Sequence, residues 1–126
     1  MKPSYKTYFS VLVVASFFAL GAMLHHGWAN YDQDTVLDYE GIILSNDIGN
    51  PHTFIDLRVI NPEEVEIDEW EVVLAPLTRM RNRGMTDDAM LAVGDTVRVV
   101  GYPHRTKENE MRAERIFIGD LRIELR

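Results

Sequence analysis

The side chains in this chain best suited to hold a metal ion are its four histidines, His25, His26, His52 and His104. No cysteine competes with them. That absence excludes disulfide frameworks, thiolate metal sites, iron–sulfur ligation and a cysteine nucleophile. Neutral imidazole suits Cu(II) or Zn(II). His25, His26 and His52 would supply three nitrogens and leave one coordination position open, with His104 a further candidate. Two adjacent histidines on an extended chain point to opposite sides, so one of the first pair can ligate while the other does not. Exposed histidines beside turns such as Asn50-Pro51 and Pro103 also occur with no metal at all, and both readings stand at this stage.

The remaining chemistry is thinner. Met80, Met85 and Met90 recur every five residues, and thioethers suit Cu(I). Helical neighbours, however, are three or four apart, and such methionines more often fill gaps in a core. Arg79, Arg81 and Arg83 form the one dense basic patch, fit either for an anionic ligand or for complementing a helix C-terminus. Residues 63–71 carry six acids and read as a solvated loop and strand face, without EF-hand spacing for Ca²⁺. No GxSxG, HExxH, Walker or dinucleotide fingerprint is present, so an enzyme is not expected. A histidine-bound metal activating water, with Glu40 as base, has nothing that selects it.

These residues need a scaffold, and 126 residues suggest one domain. Lys2 and Lys6 precede an uncharged apolar run, residues 11–24 (VLVVASFFALGAML). A basic lead before a short apolar core is the pattern of an export signal, shorter than the ~20 residues that cross a bilayer. Residues 1–24 are therefore expected to be a signal peptide, with an uncleaved inner-membrane anchor as the alternative and the periplasm or exterior as the destination. Cleavage after Gly21 fits the small-x-small rule. Cleavage after Ala22 would put His25 third from a free amine, a square-planar Cu(II) arrangement. Beyond the leader, 11 basic residues face 20 acidic ones, a net charge of −9. Such a surface lacks the basic footprint that nucleic acid requires and repels anionic lipid. Membrane association is expected only if the leader stays attached.

Residues 25–34 read as an arm. Strands are predicted over residues 35–44, with a bulge at Gly41, and over 53–60, where Ile55, Leu57 and Val59 alternate with Asp56 and Arg58. A turn at 61–64 leads to a third strand that gathers from Val65 and runs through 70–74. A short helix over 77–83 stops at Gly84, and Thr86-Asp87-Asp88 can cap a further turn. Strands at 96–102 and 111–118 follow, with a short last one at 121–125. Three strands, a helix and two more strands predict a mainly β fold: a small antiparallel five-stranded barrel of OB-like plan over residues 35–126, with one short helix between strands 3 and 4. Gly41 and Gly101 sit where a small barrel must bend. An open sandwich is the alternative.

Several of these residues together form a pattern. His25-His26, Tyr31-Asp32, Gly41, Asn50-Pro51-His52, Trp70, Arg83-Gly84, Gly94-Asp95, Gly101-Tyr102-Pro103 and Met111-Arg112-Ala113-Glu114-Arg115 resemble, in order, a family of small exported bacterial proteins classed only as a domain of unknown function. The resemblance implies a secreted or periplasmic single domain and no activity. Leu24 departs from the small residue usual before the paired histidines. The expectation is a monomeric, exported, non-enzymatic binding protein, taking a transition metal such as copper, or else zinc, through His25, His26 and His52. The alternative is a metal-free barrel that binds a ligand or an envelope protein through Trp28, Tyr31, Trp70 and Tyr102.

Overall fold

The computed structural model describes residues 27–60 and 68–126. The leader, His25, His26 and the turn with its following alternation at 61–67 lie outside the described residues. The chain divides into two compact units, Met1–Asn30 and Tyr31–Arg126.

The second unit is built from strands β1 (Leu37–Asp47), β2 (Phe54–Val59), β3 (Glu69–Val73), β4 (Thr96–Pro103), β5 (Glu110–Ile118) and β6 (Leu121–Glu124). Helix α1 (Leu77–Asn82) and a single 3-10 turn (Asp88–Leu91) lie between β3 and β4. Alternation in β2 survives intact: Ile55, Leu57 and Val59 are buried, whereas Asp56 and Arg58 face solvent. Each such aliphatic side chain contributes ~1.5–3 kcal/mol when removed from water.

The strands follow the order β3-β2-β1-β4-β5-β6, and β3 also pairs with β5. That last pairing closes a five-stranded barrel of OB-like connectivity and leaves β6 as an extra strand on β5. The closing contact is parallel, Val72 opposite Met111 and Val73 opposite Arg112. The expected all-antiparallel barrel is thus corrected at one seam. Chain direction forces this, because the other four pairings of the five-stranded ring are antiparallel, which leaves β3 and β5 running the same way.

The bend in β1 lies between Ile43 and Ser45, not at Gly41. Gly41 has a different role: a Cβ there would stand 2.5 Å from the Arg58 carbonyl oxygen and 2.6 Å from Leu57 Cγ. At Gly101 the expectation of a bend holds, with a register shift between Val100 and Gly101.

α1 is short because nothing in its side chains caps its start and Gly84, at φ +119°, ends the turn beyond it. Its purpose is Met80, fully buried together with Met85 and Leu91 against the barrel core. Asp87 caps the 3-10 turn, accepting from the Ala89 amide at 2.9 Å. Met80 and Met85 are therefore core residues, and Met90 packs half-buried on the same cluster.

Candidate functional site

One row of the barrel fixes the neighbourhood of His52. Phe54 lies opposite Val73, Val73 opposite Arg112, and Arg112 opposite Tyr102. His52 stands two residues before Phe54, its ring edge-on to that phenyl at 6.4 Å. Just beyond Tyr102, His104 forms an isolated antiparallel bridge with Tyr31, and the Asp32 amide donates to the Pro103 carbonyl at 2.9 Å. The start of the barrel unit and the β4–β5 loop therefore meet, while the β1–β2 loop packs on the segment after β3, the Leu77 amide donating to the Gly49 carbonyl at 3.0 Å and the Thr53 amide to the Ala75 carbonyl at 3.1 Å.

Tyr31 is the anchor at the start of the barrel unit. Its ring is buried, and its hydroxyl donates to Glu110 Oε1 at 2.5 Å. Lys107 Nζ donates to the other carboxylate oxygen at 3.0 Å. Burial raises the Tyr31 phenol well above its usual range, and the hydrogen bond to Glu110 pushes the same way. Burial alone would raise the Glu110 carboxyl, but the Tyr31 hydroxyl and the Lys107 ammonium together hold it below its ordinary value. The guanidinium carbon of Arg112 lies 5.9 Å from the Tyr31 ring centroid.

The histidines differ in what their rings already do. His104 Nδ1 accepts the amides of Thr106 at 3.1 Å and Lys107 at 3.0 Å, so this nitrogen organises the β4–β5 turn. His52 Nδ1 is buried and has no hydrogen-bond partner. Burial lowers the His52 pKa, the charges of Arg112 and Arg79 lower it further, and the nearby Leu74 carbonyl opposes them. These effects favour the neutral imidazole, the form in which it can ligate. Among the described residues no three His, Asp or Glu side chains converge as a metal-binding group.

The aromatic candidates of the barrel unit have different partners. Tyr31 is buried on Glu110. Tyr102 is half-buried and donates to Glu114 at 2.7 Å. Trp28 belongs to the first unit. Trp70 packs against Tyr39 with ring centroids 5.3 Å apart and lines a groove of about 400 Å³ between β3 and the β4–β5 loop. Asp56, Glu69, Glu71, Glu108 and Glu110 give that groove five carboxylates, against one ammonium from Lys107.

The arginine patch separates into distinct tasks. Arg79 Nη1 donates to the Leu125 carbonyl at 3.0 Å, and Arg83 Nη1 to the main-chain oxygens of Glu124 and Arg126 at 2.7 and 2.9 Å. Arg81 pairs with Asp88 at 3.0 Å. Sequence reasoning passed over Glu110 and Arg112. In so acidic a chain one more carboxylate carries no signal, and Arg112 alternates with the buried Met111 and Ala113 as an outward position of any half-buried strand does.

No curated protein matches the chain. A family model described as a family of unknown function (DUF6152) matches residues 12–112, a span that takes in β1 to β4 and the start of β5, where Glu110, Met111 and Arg112 close the barrel on β3. The match covers most of the length and agrees with the resemblance carried by the sequence motifs: the chain belongs to this family of unknown function.

Proposed function

We propose that this chain is an exported, non-enzymatic binding protein that holds a transition metal, copper ahead of zinc, with His52 as the ligand fixed by the barrel and His25 and His26 as ligands from the preceding segment. One observation carries the reading: a neutral imidazole whose Nδ1 is buried without a hydrogen-bond partner. Such a nitrogen is costly to leave unsatisfied, and a metal bond satisfies it. The basic lead and apolar run of residues 1–24 support export.

The test is the metal content and intact mass of protein recovered from the periplasm, followed by Cu(II) and Zn(II) titration. About one equivalent, bound tightly and lost in His52→Ala but kept in His104→Ala, is the expected result. Weak binding indifferent to His52→Ala would overturn the reading.

The second reading is a metal-free envelope binding protein, and the groove beside Trp70 favours it. An aromatic platform rimmed by five carboxylates suits a cationic peptide or amine. Under this reading Glu69→Gln with Glu71→Gln weakens capture of a basic partner, and metal titration leaves the protein unchanged.

A further inference from the structure

Every strand of the closed ring pairs on both sides, whereas β6 stands at the end of the strand order and pairs with β5. The Leu125 amide donates to the Glu114 carbonyl of β5 at 2.7 Å. Leu121, Ile123 and Leu125 therefore turn their main-chain groups toward β5, and alternation turns those of Arg122, Glu124 and Arg126 the other way. An edge of this kind is a template for a further strand. This one is partly occupied. Arg83, the exposed residue that follows α1, donates from Nη1 to the Glu124 carbonyl at 2.7 Å and to the Arg126 carbonyl at 2.9 Å. Arg79 adds a bond to the Leu125 carbonyl at 3.0 Å. One guanidinium nitrogen thus stands where the amides of a neighbouring strand would stand.

We propose that the β6 edge is a self-association surface held shut by Arg83, and that the partner it fits is β6 of a second copy, antiparallel about a two-fold axis at Ile123. This inference goes beyond both functional readings and depends on neither. Charge selects the register. With the axis at Ile123, Arg122 of each copy lies opposite Glu124 of the other, and opposite charges at directly paired positions favour an antiparallel pair. Moving the axis by one residue sets Arg122 against Arg122, or Glu124 against Glu124, and like charges there oppose pairing. In the single chain Arg122 Nε donates to Glu124 Oε1 at 2.7 Å, so association exchanges a pair within one strand for two pairs between copies. The Arg122 amide of the second copy needs the Glu124 carbonyl as its acceptor, and Arg83 occupies that carbonyl. Its release is the step between the two states. A two-fold contact is self-complementary and closes on itself, so assembly stops at two copies. An edge of four residues makes a small interface, at the weak and reversible end of the range.

The experiment is analytical ultracentrifugation of the full chain over a concentration series, with amide hydrogen exchange to locate the contact. The wild type should be monomeric at low concentration and dimerise weakly at high concentration. Arg83→Gln should dimerise at least tenfold more tightly. Arg81→Gln removes the same charge from a residue that pairs with Asp88 and should match the wild type. In the Arg83→Gln background, Arg122→Glu places a carboxylate opposite Glu124 of the second copy and should abolish the dimer. Adding Glu124→Arg reverses both members of the pair and should restore it. An Arg83→Gln chain no more associated than the wild type overturns the proposal, and so does a dimer indifferent to Arg122→Glu. Faster exchange of the Leu125 amide would show that Arg83→Gln had loosened β6 from β5. In that case the wild type decides: protection of the Arg122 and Glu124 amides must rise with concentration, and a flat profile overturns the proposal.

Discussion

Tyr31 donates its hydroxyl to Glu110 across a sequence separation of 79 residues, at 2.5 Å and out of contact with solvent. The bond ties the first residue of the barrel unit to the first residue of the strand that closes the barrel. Tyr31→Phe keeps the ring but leaves a buried carboxylate oxygen without its donor, a loss of ~1–3 kcal/mol. Thermal unfolding at neutral pH measures it. The pH profile should carry the same signature. Glu110 is held below its ordinary value in the folded state, so its stabilisation is present above the unfolded pKa and is lost as pH falls through the folded one. The Tyr31 phenol is raised, so its contribution is present below the unfolded tyrosine pKa and is lost as pH climbs beyond it. Tyr31→Phe should remove the tyrosine's alkaline limb and flatten the acid limb.

Gly101 has no room for a methyl group. A Cβ there would collide with the Arg112 carbonyl oxygen and approach Ala113 Cα at 2.7 Å, both on the paired strand β5. Backbone cannot rotate away as a side chain can, so Gly101→Ala should cost at least ~3 kcal/mol, at or above the usual range for overpacking. Gly49→Ala is the control, because nothing lies within 4 Å of its Cβ position. Denaturant midpoints of the two variants should differ accordingly, with Gly49→Ala close to the wild type.

Met80 closes the core from α1 and is fully buried. Truncation to alanine leaves a cavity, and Met80→Ala should cost ~2–5 kcal/mol. Met90, half-buried with its sulfur accepting from the Thr86 hydroxyl at 3.7 Å, should cost clearly less. If these sulfurs served Cu(I) in place of the core, Met80→Ala would abolish Cu(I) binding and leave the unfolding midpoint nearly unmoved.

His52 should titrate below ordinary histidine. Burial is the first cause, and Arg112 and Arg79 follow. A group whose folded pKa is depressed binds protons less readily than in the unfolded chain, so stability falls as pH drops through the unfolded histidine value toward the folded one. Imidazole NMR should show the low midpoint, moved upward in Arg79→Gln. His52→Gln should lessen the loss of stability over that same pH window.

Local pattern alone determined a good deal. Period-two alternation located β2, the charged and glycine-containing turns separated the strands, Gly84 ended α1 and Asp87 capped the turn after it. Each of these depends on residues a few positions apart, where sterics and short-range hydrogen bonds act, and so each is legible along the chain. Strand order and the small helix between β3 and β4 then narrowed the fold to an OB-like barrel. Only the tertiary structure decided the parallel seam of Val72 with Met111, the bend at Ile43 and Ser45 in place of Gly41, and the removal of the Tyr31 hydroxyl from the surface. The physical reason is that barrel closure brings together residues tens of positions apart, and the energy of a buried hydrogen bond or a crowded charge belongs to that meeting rather than to any one residue.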